Sequence, residues 1–151
     1  MNRMPSSAWM RCSKWLALML LMSCQQAAQP PTIRYGEDAC ANCRMLINEA
    51  PYACAVETAE GEIRKYDDFN CMFLDSERAK PVRYWVPHHD KPDQWLDGEK
   101  AFYVRADNLQ TPMGSRTLTV ATREEAERKA QSLDGKVFTF EAIRQQFLPP
   151  R

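Results

Sequence analysis

This 151-residue chain is poor in histidine, in net charge of either sign and in long apolar runs. Its two histidines limit hydrolytic zinc chemistry, which draws mainly on imidazole ligands. Its 20 basic and 20 acidic residues cancel. Nucleic acid is therefore excluded as the main partner, because phosphate binding requires a clustered basic surplus. The longest apolar run, Trp15 to Met22, has eight residues, far short of the about 20 that a membrane-spanning helix needs. What is present is a hydrophobic fraction of 44% with six cysteines and eight methionines, a sulfur-rich composition that argues against wholesale disorder. The length suits one domain, or two small units sharing a core.

The amino terminus reads as an address. Arg3, Arg11 and Lys14 precede the apolar run, the pattern of a secretory signal. The run ends in Leu21-Met22-Ser23-Cys24, which resembles the bacterial lipobox. That resemblance implies cleavage after residue 23, acylation of Cys24 and an anchor on the periplasmic side of the outer or inner membrane. Gln25 rather than Asp after the cysteine favours the outer. Residues 24–35 are expected to be the lipidated cysteine and a polar, proline-containing tether. Loss of residues 1–23 removes three of the 20 basic residues and no acid, leaving 17 against 20, a net charge of −3. It also leaves only Met45, Met72 and Met113 as methionines, and Cys40, Cys43, Cys54 and Cys71 as cysteines besides Cys24.

The remainder, 36–151, reads as one α+β domain. Tyr52–Thr58 alternates like a strand, Glu60-Gly61 is a turn, and Glu62–Tyr66 returns as a second strand. Asp67-Asp68 can cap a helix that starts near Phe69 and stops at Pro81, presenting Phe69, Met72, Phe73 and Ser76 on one face. Val82–Val86 is a strand, 87–98 a long polar loop, and Lys100–Arg105 and Thr117–Ala121 are strands. Thr122 with Glu125 forms a capping box for a helix to about Leu133. Lys136–Phe140 is a strand, and Glu141–Phe147 a short closing helix. Strand, strand, helix, strand thus occurs twice, predicting two ββαβ units packed together, about 50–88 and 99–140. Tyr84, Trp85, Trp95, Phe102 and Tyr103 are expected in the core.

The sharpest local signal is Cys40-Ala41-Asn42-Cys43-Arg44-Met45. Haem attachment is excluded, because Arg44 stands where that motif needs histidine. A thioredoxin-like redox pair would open a helix after a strand, whereas this pair follows a tether. A structural zinc site could use Cys40, Cys43, Cys54 and Cys71, although the second pair is widely spaced. A structural disulfide is also open. Soft-metal binding is the remaining reading, since thiolate plus thioether selects Cu(I). Further sulfur lies in Cys71-Met72 and in Thr111-Pro112-Met113-Gly114, where proline and glycine form an exposing turn. His88 and His89 are outside candidates as ligands. Asp67 and Asp68 read as a helix cap rather than a catalytic pair.

Three segments together, Cys40-x-x-Cys43-x-Met45, Lys65-Tyr66-Asp67-Asp68-Phe69-Asn70-Cys71-Met72-Phe73 and Thr111-Pro112-Met113-Gly114, resemble the NosL family over about residues 36–140. NosL proteins are lipoprotein accessory proteins of nitrous oxide reductase. The resemblance implies a periplasmic, lipid-anchored Cu(I) chaperone, not an enzyme, that passes copper to a membrane-bound maturation complex of that reductase. It also implies paired ββαβ units similar to an organomercurial lyase domain. The expected ligands are drawn from Cys40, Cys43, Met45, Cys71, Met72 and Met113. The chain departs from the family pattern at Arg44, where a small residue is expected, and in Gly114–Leu118, where more glycine is expected. Cys54 lies outside any family motif. The competing readings are a thiol–disulfide oxidoreductase using Cys40 and Cys43, and a structural zinc or disulfide module.

Overall fold

A computed structural model describes residues 29–148. The signal segment, Cys24 and the first part of the tether lie outside the described residues. The elements are β1 (Cys54–Thr58), β2 (Ile63–Tyr66), α1 (Phe69–Ala79), β3 (Pro81–His88), β4 (Lys91–Asp97), β5 (Phe102–Arg105), β6 (Thr117–Val120), α2 (Arg123–Leu133), β7 (Lys136–Phe138) and α3 (Phe140–Phe147). None of these helices is long and apolar enough to cross a membrane.

The strands form two antiparallel sheets, ordered β2-β1-β3-β4 and β6-β5-β7. Both use the same plan. The first strand is central, its hairpin partner flanks it on one side, and the strand after the helix flanks it on the other. Two parallel strands joined by a helix, with a strand between them, make a split βαβ arrangement. The halves are unequal, because the first sheet adds β4 and the second half ends in α3.

The helix boundaries follow from local chemistry. Asp68 is the N-cap of α1, accepting from the Phe69 amide at 2.7 Å. Lys80 closes the helix in the left-handed region before Pro81, which cannot continue it. Thr122 and Glu125 form the reciprocal capping box of α2. The buried residues of α2 are Ala126 and Ala130, small enough for the helix to lie close to the second sheet. Between the two halves an aromatic cluster fills the core. Tyr103 meets Phe69 edge-on, Tyr84 meets Phe140, and Phe73 stacks on Phe147. Tyr84 and Tyr103 are buried there, while Trp95 and Phe102 pack at its margin.

One sequence expectation fails. The polar stretch 87–98 is not a loop; most of it is β4, hairpinned onto β3 with Val86 opposite Leu96 and Pro87 opposite Trp95. Because β4 is an edge strand, it tolerates Pro92 and shows Lys91, Asp93 and Gln94 to solvent, so the apolar alternation that signals a strand is missing. The turn of this hairpin reaches the second sheet. The His89 amide donates to the Thr119 carbonyl at 2.8 Å, the Thr119 hydroxyl donates to the Pro87 carbonyl, and Lys129 pairs with Asp90 at 2.6 Å.

Candidate metal centre

Residues 38–47 form a closed turn ahead of the first sheet. The Cys40 amide donates to the Met45 carbonyl at 2.8 Å, and the Arg44 amide to the Cys40 carbonyl at 3.0 Å. Ala39 bridges Leu46 across the mouth of the turn. The Ala41 amide donates to the Lys65 carbonyl at 2.8 Å, fastening the turn to the end of β2. Two residues on, the chain enters α1. The Cys40/Cys43 turn and the first turn of α1 are thereby set side by side, although they are more than 20 residues apart in sequence.

A single buried carboxylate holds the third segment to the second. Besides capping α1, Asp68 accepts from the Thr111 hydroxyl and the Met113 amide, each at 2.8 Å, and from the Ser115 amide at 3.1 Å. The Ser115 hydroxyl also donates to it. Asn70 adds a bond from its side-chain amide to the Met113 carbonyl at 2.6 Å. The Asp67–Met72 and Thr111–Ser115 segments are therefore one hydrogen-bonded unit.

At the meeting point, one ligand atom each from Cys40, Cys43, Asp67 and Cys71 lie within 4.8 Å of one another. Cys40, Cys71 and Asp67 are buried, and Cys43 is partly open to solvent. The thiol of Cys71 donates to Cys40, and this bond, more than the opposing effect of burial, brings the Cys40 pKa down to about 4. Donating the same bond pushes Cys71 up. Burial raises Cys43, whose thiol faces the Asp67 carboxyl at 3.5 Å. Burial, followed by a hydrogen bond with Cys40, lifts Asp67 to about 6. Cys40 is thus the thiol of the cluster that ionises most readily, while Cys43 and Cys71 hold their protons more tightly than free thiols.

The sign of the Asp67 effect is testable. A carboxyl whose folded-state pKa is raised contributes stability in acid, and that contribution is lost as the pH rises through about 6. Asp67→Asn, which mimics the protonated form, is expected to melt higher than the parent at pH 7.5 and no higher at pH 4. Thermal unfolding of the metal-free proteins at the two pH values reads this directly.

The structure gathers some of the expected ligands and not others. Cys40, Cys43 and Cys71 come together. Met45 and Met113 are 59% and 37% exposed, each on a loop bonded to the cluster's own segments. Met72 is fully buried in the hydrophobic core. Adjacent helical residues point about 100° apart, so Cys71 faces the cluster while Met72 packs inward. His88 and His89 sit at the inter-sheet turn. There Nε2 of His88 lies 3.6 Å from Glu125, and His89 packs on Tyr52. Cys54 is fully buried on β1 and stands outside the cluster, so the four-cysteine zinc set is not assembled. Asp67 occupies the fourth place instead. The sequence reading gave both aspartates to the helix cap, but a helix has one N-cap residue, and that rule could have freed Asp67 for another role.

A family model described as NosL matches residues 33–148, which include all three sulfur segments. The chain belongs to the NosL family. No curated protein matches the sequence. Among solved structures, the crystal structure of the copper chaperone NosL from Shewanella denitrificans is similar, with a TM-score of 0.64 at 17% identity, covering 75% of this chain and 93% of that one. At that identity the likeness is one of fold. Arg44 and Arg116 both lie in the left-handed region, at φ 68° and 54°, where glycine is favoured. In this NosL chain arginine takes each position, at a backbone cost of about 1–2 kcal/mol.

Proposed function

We propose that this chain is an extracytoplasmic Cu(I) carrier, held at a membrane through lipid on Cys24, that supplies copper for maturation of nitrous oxide reductase. The observation that carries the copper reading is the cluster itself, three thiols and a carboxyl within 4.8 Å, one thiol open to solvent. Polarisable sulfur suits a soft monovalent cation. Cys40, Cys43 and Cys71 are the proposed ligands. Asp67 accepts a proton or hydrogen bond beside them, and Met45 and Met113 are outer thioethers for entry and release. A partner's sulfur or imidazole would attack at the open Cys43 side, exchanging one ligand at a time.

The oxidoreductase reading fares worse on geometry. An attacking cysteine must be both thiolate and accessible. Here the thiol that ionises most readily, Cys40, is buried, and burial raises the pKa of the partly open Cys43. Zinc is the sharper competitor, because three thiols and a carboxyl can also fill a tetrahedron.

The test uses reduced protein comprising residues 25–151, since every element lies within the described 29–148. Titration with Cu(I) against a chromogenic competitor, with Zn(II) as control and far-UV circular dichroism in parallel, should give tight Cu(I) binding, weaker Zn(II) binding and an unchanged fold. The hydrophobic core, of which Cys40 and Cys71 are part, is closed by side-chain packing alone, so the metal-free protein is expected to remain folded. Zinc-dependent folding, or absence of Cu(I) binding, would overturn the reading.

A further inference from the structure

We propose that Cys40 and Cys43 are also a thiol–disulfide exchange site. In the metal-free protein they close into a disulfide that shuts the copper site, and a dithiol partner must reopen it before loading. This rests on the copper-carrier reading above and adds a step that precedes the metal.

The pairing follows from geometry. Cys40 and Cys43 are the ends of one turn, closed by the bond from the Arg44 amide to the Cys40 carbonyl at 3.0 Å. A turn of four residues keeps its ends within about 7 Å at Cα, and a disulfide spans about 4.4–6.8 Å. The two sulfurs already lie within 4.8 Å of each other. The bond can therefore form inside the turn, with β2 and α1 left in place. All four cysteines of the described residues are free thiols. Cys40, Cys54 and Cys71 are buried, so Cys43 is the one that offers its sulfur to a solute.

In the extracytoplasmic setting that the carrier reading gives the chain, the oxidant is a small disulfide, RSSR. Cys43 gives its proton to solvent and attacks as the thiolate. A Cys43–S–S–R bond forms, the RSSR bond breaks, and one RSH leaves after taking up a proton. Cys40 then attacks the Cys43 sulfur and expels the second RSH. Two protein thiols lose two electrons and two protons, and RSSR gains them. The Cys71 thiol, and then the amides of Cys43, Asp67 and Asn42, donate to the Cys40 sulfur. Cys40 is thus readier than Cys71 to make the second attack. Burial raises Cys43 and slows the first, so the exchange is a stoichiometric event rather than turnover. Reopening runs in reverse. A dithiol attacks the open Cys43 sulfur, and Cys40 leaves, the more acidic thiol being the faster leaving group. Metal ligation needs thiolate, so the bridge leaves Cys71 as the one clustered thiol, beside Asp67.

The test incubates metal-free 25–151 protein with glutathione disulfide under nitrogen. Samples are alkylated in denaturant and digested with trypsin. Cys40 and Cys43 share the tryptic peptide 35–44, and Cys71 lies in 66–78. Peptide 35–44 is expected unalkylated and lighter by two hydrogens, with Cys54 and Cys71 alkylated. Cu(I) affinity should fall by more than about 100-fold, beyond what an outer-shell change typically costs. Dithiothreitol in native buffer should restore the thiols and, after its removal, the affinity. Cu(I)-loaded protein should keep all four thiols. Cys71→Ser should close the same bridge, whereas Cys40→Ser should stop at a glutathione adduct on Cys43. A bridge to Cys71, a lasting adduct on Cys43 of the parent, or four intact thiols in the metal-free parent would each overturn the proposal. So would a bridged protein that binds Cu(I) as tightly as the reduced one, or a bridge that dithiothreitol opens only after unfolding, which would make it structural. Failure of the reduced protein to bind Cu(I) would overturn the carrier reading, and the gate with it.

Discussion

Cys71→Ser should reduce Cu(I) affinity by more than about 100-fold and leave the protein folded. Mutating even an outer-shell partner of a metal site typically costs about 10- to 100-fold, and Cys71 contributes one of the three clustered thiols. Its side chain also donates the hydrogen bond that stabilises the Cys40 thiolate. Serine keeps that donor and nearly the same volume, so the metal-free fold should change little. The neighbouring residue supplies the control. Met72→Leu exchanges one core residue for another of similar volume, a change worth less than about 1.5 kcal/mol. It should leave Cu(I) affinity unchanged, because Met72 faces the core. Competitive Cu(I) titration of both variants decides the matter. An unaltered affinity in Cys71→Ser, or a large loss in Met72→Leu, would mean that the cluster has been misassigned.

Asp68→Ala is expected to be the most damaging single change to stability near the site, at about 3–5 kcal/mol. The carboxylate accepts from Phe69 and Ser115 on one oxygen, and from Thr111, Met113 and Ser115 on the other. Alanine removes the N-cap of α1, worth about 0.5–2 kcal/mol, and leaves the buried Ser115 donors without a partner. A loss of this size corresponds to a melting point lower by roughly 10–20 °C. The consequence should also be local. The Met113 loop has few other ties to α1, so limited proteolysis between Thr111 and Arg116 should accelerate before global unfolding. Asp68→Asn keeps one acceptor oxygen and should lose roughly half as much. If Asp68→Ala melted like the parent, the account of Asp68 as the link between the two segments would fail.

Much of the fold was legible because it depends on short-range chemistry. The Thr122/Glu125 box, the stop at Lys80-Pro81 and the alternation of Cys54–Thr58 each lie within a few residues. The hairpin of β3 and β4 was not legible, because an edge strand with one wet face and a proline loses the pattern that marks a strand. The site was legible in part. Cys40, Cys43 and Cys71 stood out by residue type and spacing, whereas Asp67 was hidden by a neighbour of the same type that does cap the helix.

By itself the sequence determined that the chain is α+β, rich in sulfur where histidine is scarce, and built around three motifs that belong together. Only the tertiary structure decided how those motifs meet. The bond from Ala41 to Lys65 brings the Cys40/Cys43 turn against α1, and Asp68 draws in the loop of Met113. The same packing turns Cys71 towards the cluster and Met72 into the core, and carries His88 and His89 to the other end of β3. Spacing along a chain fixes which side chains share an element; which of them share a metal depends on contacts between residues 24 to 47 positions apart, and these exist only once the core has formed.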